Sequence, residues 1–427
     1  MRSLAVLSMH TSPLAQPGAG DGGGMNVYVR ELCTSLARSG TQCDVFTRAS
    51  SPDQPAVLPV EPGLRVHHVE AGPLRPVGKA ELAGLVGSFA DAVEARLSEG
   101  PWGPGPGAGW EPAATGAPGG VEAIHAHYWL SGEAGHILKH RWDVPLVSTF
   151  HTLERVKAAS GASDGADDAS RTEIEARIIG CSDAVVASNP LEAEQLLRLY
   201  GAAPERLHIV SPGVDHAFFA PGARAQARRA LGLPTTGPML LFIGRVQPAK
   251  GADLAVGTLC ELAGFPDAFL VVAGGPSGPD GEEVLARMRR DAARAGLGDR
   301  VFWFPPQQHE LVSTFCRAAD VCLVPSRTES FGLVALEAAA CGVPVVATAV
   351  GGLRTIVRDG VTGVLVDERS PAAFADAVKR VLGDPDGARE MGRAAAAGAR
   401  RYTWGAAAEA LRRLHSDLAE RILVECG

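Results

Sequence analysis

Glu329-Ser330-Phe331-Gly332-Leu333-Val334-Ala335-Leu336-Glu337 is the stretch from which the architecture of this 427-residue chain can be read. It follows an apolar run, Ala319 to Val324, whose length and unbroken hydrophobicity predict a buried parallel strand ending at Pro325-Ser326. A helix is expected next, because Val334, Leu336 and the alanines after Glu337 are helix-compatible. Glu329 therefore sits on the loop at the carboxyl end of a strand, where open α/β sheets bind ligands. The amides of Phe331, Gly332 and Leu333 fall at the helix start, unpaired and positively polarised, a seat for phosphate oxygens. Gly332 lets a ligand approach the backbone closely. Glu337 lies about one and a half turns into the helix, roughly 8 Å along its axis. Two carboxylates flanking a phosphate seat suit a ligand with hydroxyls at both ends and phosphates between, which is the shape of a nucleotide sugar.

Taken alone, two such glutamates would read as a loop acid and a surface helix acid, both solvated. The whole string, however, resembles the E-x7-E motif of retaining GT-B glycosyltransferases of the family-four type. That resemblance implies that Glu329 contacts sugar hydroxyls, Glu337 the ribose, and the Phe331–Leu333 amides the diphosphate. It also implies the GT-B fold: two doubly wound, Rossmann-like α/β domains facing a cleft, with a C-terminal helix crossing back to the first.

Length suggests two or three domains, and composition is ordinary for a soluble globular protein. The chain is too long for one core. With 46% hydrophobic and 21% charged residues and a net charge of -8, it offers no basic face for nucleic acid or an anionic membrane surface. Its apolar runs are strand-length, far short of a membrane span. The N-terminus reads straight into a strand, with no signal peptide. Eight scattered cysteines without a C-x-x-C read as small core residues in a reducing compartment, so the cytosol is expected.

From the N-terminus, Leu4 to Met9 is a first strand, His10 to Gly24 a long loop, Met25 to Arg38 a helix and Gln42 to Thr47 a second strand. Gly18 to Gly23 matches the dinucleotide fingerprint G-x-G-x-x-G. That motif should begin at the strand end, and here eight residues intervene. A glycine-permitted loop laying amides at a helix head is the better account. Read more widely, His10 to Gly18 and Asp21 to Val29 resemble the D-inositol-3-phosphate glycosyltransferases that open mycothiol biosynthesis. The resemblance implies that His10, Asp21, Gly22, Gly23, Met25 and Asn26 approach the acceptor, while Gln16, Pro17 and Gly24 lie near the donor.

Leu64 to Val69 predicts another strand, and Lys79 precedes one amphipathic helix carrying Leu82, Leu85, Val86, Phe89, Val93 and Leu97. Gly100 to Gly120, rich in Gly, Pro and Ala, reads as a surface excursion. His125-Ala126-His127 could suggest a metal, but alternate strand positions share one face and no third ligand is evident. Pro145 to Phe150 is a strand ending in His151-Thr152. A histidine there is better placed for substrate than an ordinary core histidine, and in the resembling enzymes this position touches the transferred sugar. Residues 159 to 170 read as a small, acidic loop containing Asp167-Asp168, with a helix beginning at Arg171.

Lys79, Tyr128, Thr152 and Arg171 are read together. An ammonium, a guanidinium and two hydroxyls could grip a phosphomonoester if they converge, which spacing alone does not show. They fall where the resembling family holds inositol phosphate. The second half restarts at residues 239–245 and alternates strands with helices, predicting a second doubly wound sheet. Arg245 and Lys250, at the carboxyl end of its first strand, are spaced to reach one diphosphate. Gln307 sits where the family meets uracil through the main chain. Residues 1–212 are expected to form the acceptor domain, 213–403 the nucleotide-sugar domain, and 404–427 a returning helix.

The resemblance implies a retaining transfer of N-acetylglucosamine from its uridine diphosphate donor to 1D-myo-inositol 3-phosphate, by a chain that acts as a dimer. His151, Arg245, Lys250 and Glu329 are the expected catalytic set. No cofactor and no metal are expected, since no Asp-x-Asp motif stands at a strand end. A relative acting on another cyclitol or aminocyclitol, an NAD-dependent oxidoreductase and a non-catalytic sugar-nucleotide sensor are the other readings.

Overall fold

The computed structural model describes residues 2–99, 116–161, 168–278, 281–419 and 422–425. The first half contributes strands β1 (Ser3–Leu7), β2 (Gln42–Arg48), β3 (Val57–Glu61), β4 (Leu64–Val69), β5 (Ala123–His127), β6 (Leu146–Thr149), β7 (Ala184–Ala187) and β8 (Leu207–Ile209). The second half contributes β9 (Met239–Ile243), β10 (Phe269–Ala273), β11 (Val301–Phe304), β12 (Val321–Val324), β13 (Val345–Thr348) and β14 (Gly363–Val366). They form two sheets, β3-β4-β2-β1-β5-β6-β7-β8 and β11-β10-β9-β12-β13-β14. Every pairing is parallel except β3 with β4.

Unbroken apolar strands follow from this topology, because helices cover both faces of each sheet. Leu4, Val6, Leu240, Leu241, Leu270 and Val271 have no exposed surface at all. Four clusters of buried side chains, one on each face of each sheet, make up the core. In the first sheet the order turns back between β1 and β5, in the second between β9 and β12. Loops leaving those strands at such a reversal diverge and leave a crevice. The crevices carry the residues singled out above: His10 to Gly24 after β1, Tyr128 after β5, Arg245 and Lys250 after β9, Glu329 after β12.

The two halves are tied by a chain crossing. Val214 donates its amide to the Tyr402 carbonyl at 3.2 Å. At Gly213 the backbones approach so closely that a Cβ would sit 2.1 Å from the Trp404 nitrogen. The helix Trp404–Leu418, capped by the Thr403 hydroxyl, then packs on the first sheet. Its Trp404, Leu411, Leu414 and Leu418 share a core cluster with Leu4, Val6, Val29 and Leu36.

Several local expectations need correction. Instead of one helix after Lys79 there are two, Lys79–Ala83 and Val86–Ser98, broken at Gly84-Leu85. Asp168 belongs to no loop: it opens the helix Asp168–Cys181, three residues before Arg171. The acidic stretch 162–167, like 100–115 of the Gly/Pro-rich excursion, lies outside the described residues. The last helix ends at Leu418 instead of filling the expected 404–427 span. Strand β3 had no counterpart in the sequence reading; it is half-exposed and carries a proline and a bulge, the features of an edge strand. Cys181 is disulfide-bonded, contrary to a set of reduced core thiols. Among the described residues no helix is long and apolar enough to cross a membrane.

Candidate active site

The carboxyl ends of the two sheets face one another across a cleft of about 670 Å³. Of the residues expected there, His10, Pro17, Asp21, Gly23, Gly24, Met25, Lys79, Tyr128, His151, Thr152 and Arg171 line it from the first domain. Arg245, Lys250, Gln307, Glu329, Phe331, Gly332, Leu333 and Glu337 line it from the second.

The second-domain wall is built around the loop after β12. Lys250 Nζ lies 2.6 Å from Glu329 Oε2, which also accepts from Ser326 Oγ at 3.2 Å. The Glu329 carbonyl accepts from the Gly352 amide at 2.9 Å. This fit demands glycine: a Cβ at Gly352 would stand 2.3 Å from the Ser330 carbonyl oxygen, and one at Gly351 2.0 Å from that of Glu329. Gly332, with φ of 100°, turns the chain into the helix Leu333–Ala340 and presents its first amides to the cleft. Glu337 is buried and bonds His309 Nε2 through Oε1 at 2.6 Å. Burial pulls the His309 pKa down, but the Glu337 carboxylate more than offsets this and the net shift is upward. Sequence reading missed His309, two residues after Gln307; its proximity to Glu337 is a tertiary fact.

On the first-domain side, His151 follows β6 with φ of 61°, a left-handed conformation that strains a non-glycine residue. Its Nε2 meets His127 Nδ1 at 3.0 Å, and the Tyr28 ring stands edge-on with centroids 4.9 Å apart. Burial lowers the His151 pKa to about 3, so the imidazole is neutral. His127 is thus paired with a cleft histidine, and His125 bonds Thr149 at 2.9 Å. Tyr28 and His127 were not foreseen as site residues.

Lys79, Tyr128, Thr152 and Arg171 do converge. Arg171 lies over the Tyr128 ring, 5.0 Å from its centroid, and donates through Nη2 to Thr152 Oγ1 at 3.2 Å. Lys79 Nζ is 6.0 Å from the same centroid and 3.6 Å from Asp21 Oδ1. Arg171 is held in turn by Glu154 at 2.7 Å and Glu175 at 2.8 Å, neither read from the sequence. The His10 ring packs on Tyr128 at 4.4 Å. Burial first, then the charges of Lys79, Arg245 and Arg171, depress the His10 pKa and keep it neutral.

The glycine loop bridges the domains. Gly18 O accepts from Gly275 N at 2.9 Å, Gly20 O from Ser277 Oγ at 2.7 Å, and the Arg245 guanidinium lies against Gly23. Three expected contact residues stay off the cleft wall. Asn26 is 1% exposed and braces the loop, donating to Thr11 Oγ1 and Ser12 O and accepting from Gly23 N. Gly22 closes a turn onto Ala19 O. Gln16 donates its side-chain amide to the Gln307 carbonyl.

Two family models match the halves on either side of this cleft: "Glycosyl transferase 4-like domain" over residues 23–213 and "Glycosyl transferases group 1" over residues 223–398. A D-inositol 3-phosphate glycosyltransferase of Xylanimonas cellulosilytica is 46% identical over 98% of this chain and 97% of its own length. The chain belongs to the D-inositol 3-phosphate glycosyltransferase family. A family member from Mycobacterium tuberculosis (strain ATCC 25177 / H37Ra) is 43% identical over 96% of this chain and 82% of its own. Among solved structures, sucrose-phosphate synthase from Thermosynechococcus elongatus superposes with a TM-score of 0.86 at 32% identity, covering 98% of this chain and 99% of its own. Anabaena Alr3699/HepE, solved in complex with UDP and glucose, shares the fold with a TM-score of 0.76 at 17% identity over 98% and 100%. The family assignment makes this chain a glycosyltransferase with the GT-B arrangement of two Rossmann-like domains.

Proposed function

We propose that this chain transfers N-acetylglucosamine from UDP-N-acetylglucosamine to 1D-myo-inositol 3-phosphate with retention of configuration, as the first step of mycothiol assembly in the cytoplasm. The observation that carries this reading is the corner of Lys79, Tyr128, Thr152 and Arg171. It offers a phosphomonoester an ammonium, a guanidinium and two hydroxyls opposite the Lys250–Glu329 pair. The names of the full-length relatives support the same acceptor.

In this reading residues 1–212 hold the acceptor, 213–403 the donor, and 404–427 lock the two. His10, Asp21 and the Gly22–Gly23 turn, with Met25, shape the inositol pocket, and Asn26 supports it from behind. Pro17 and Gly24 border the donor, and Gln16 steadies Gln307, whose main chain faces the uracil. Glu337, oriented by His309, takes the ribose hydroxyls. Glu329 and neutral His151 orient the sugar; His127 occupies Nε2 of His151 and leaves Nδ1 for a sugar hydroxyl.

No protein nucleophile is needed. The bond between the anomeric carbon and the diphosphate oxygen breaks while the inositol hydroxyl bonds to the same face of that carbon. The hydroxyl proton passes to the departing diphosphate. Arg245, Lys250 and the Phe331–Leu333 amides stabilise the charge that develops there. These groups replace a divalent ion, so turnover should survive EDTA. The test is UDP release from UDP-N-acetylglucosamine with 1D-myo-inositol 3-phosphate, free inositol and 2-deoxystreptamine as acceptors. Release far faster with the phosphorylated inositol than with either unphosphorylated cyclitol is expected. Release with an unphosphorylated cyclitol instead would overturn the acceptor assignment.

A further inference from the structure

We propose that Asn189 is a positioning residue for the transfer: with Ser330 it clasps the Glu329–Leu333 loop onto the first domain and fixes the donor-side groups against the acceptor side. The inference deepens the glycosyl-transfer reading above and rests on it for its kinetic arm only.

Asn189 is fully buried just before the helix Pro190–Tyr200. Its Oδ1 accepts from Glu192 N at 3.0 Å, an ordinary helix cap that uses only the oxygen. The amide nitrogen does something a cap does not need. It crosses to the second domain and donates to the Ser330 carbonyl at 2.5 Å, as well as to Ser188 Oγ at 3.0 Å. Glu192 braces this approach by accepting from the Ser188 amide at 2.8 Å and from its hydroxyl.

Ser330 answers with a second link, its Oγ donating to the His151 carbonyl. One residue of the β12 loop is thus bound through its carbonyl to Asn189 and through its hydroxyl to the backbone of His151. Its neighbours on either side are Glu329, paired with Lys250, and Phe331, at the helix head. Gly352 packs directly beneath the same carbonyl. Asn189 does not line the cleft, so it can act on the reaction only through the geometry of this loop. Where the clasp is made, His151, Glu329 and Lys250 share one rigid frame. Where it is lost, the Ser330 carbonyl keeps only the longer 3.4 Å bond from Ser188 Oγ, and the loop has less reason to stay against the first domain.

Asn189→Ser separates clasp from cap, since serine caps a helix about as well as asparagine but is too short to reach Ser330. For this variant turnover should fall roughly tenfold with a melting temperature close to wild type. Its UDP-bound radius of gyration, measured by small-angle X-ray scattering, should exceed that of UDP-bound wild type. Ser330→Ala should lower turnover similarly, and the double variant should lose less than the sum of the two. Wild-type turnover together with a wild-type UDP-bound radius would overturn the proposal. So would an activity loss that merely tracks a fall in melting temperature, which would make Asn189 a cap and nothing more. If wild type releases no UDP with any acceptor, the transfer reading fails, and the scattering comparison still decides the clasp.

Discussion

At the scale of single residues, the donor side depends on the Lys250–Glu329 pair, only 2.6 Å apart and partly shielded from water. Lys250→Ala removes a cation aimed at the leaving group and leaves Glu329 without its partner. The expected loss in kcat is about 10²–10³-fold, with little change in melting temperature, checked by steady-state kinetics beside differential scanning calorimetry. Glu329 and Lys250 were legible in the sequence because each sits at a predictable distance past an apolar strand. His309, Glu154 and Glu175 were not, because each is recognised only by the side chain it touches across the fold. Asn26 shows the opposite error: its place in the motif suggested substrate contact, yet all its hydrogen-bonding groups face the loop it braces.

Elements add a second constraint, the seating of one loop on another. Gly351 and Gly352 support the Glu329–Phe331 backbone at distances no Cβ could share. Gly352→Ala must therefore displace the loop. Donor affinity, read by isothermal titration with UDP, should weaken at least about tenfold, while a distant glycine with open space around it, Gly405, tolerates alanine without effect. The returning helix Trp404–Leu418 makes a comparable prediction for stability. Leu411 has no exposed surface and packs in the core of the first domain. Leu411→Ala should cost about 2–5 kcal/mol in urea unfolding with no direct effect on the chemistry. The alternation of strands and helices that makes both sheets could be read from apolar runs. The break at Gly84-Leu85 and the early start of the Asp168 helix could not, because local sequence specifies an element's existence better than its boundaries.

For the whole molecule, the first domain encloses several neutral histidines. Burial holds His151 at about 3 and His415 at about 4, and lowers His10, His125 and His127 as well. Each is a base whose folded pKa lies below its unfolded value near 6.5. As pH falls below about 6.5 the unfolded chain takes up protons that the folded chain refuses, so stability drops from there toward pH 4. The loss approaches 1.4 kcal/mol per pH unit for each such histidine. Melting curves between pH 7.5 and 4.5 should show a steep decline, and a flat profile would contradict the burial. Activity, in contrast, should show no limb from His151 above pH 5, since it stays neutral throughout.

How loops distant in sequence meet was the part least legible in the chain. Spacing could suggest that Lys79, Tyr128, Thr152 and Arg171 belong together, but only the return of the first sheet between β1 and β5 brings their loops to one corner. That corner also supplies the most direct measurement: the ratio of kcat/KM for 1D-myo-inositol 3-phosphate to that for free inositol, in wild type and in Lys79→Ala. The account predicts a large ratio in wild type that collapses by about 10²-fold in the variant, with the free-inositol rate nearly unchanged. A ratio that survives the loss of Lys79, or a wild type indifferent to the phosphate, would contradict it.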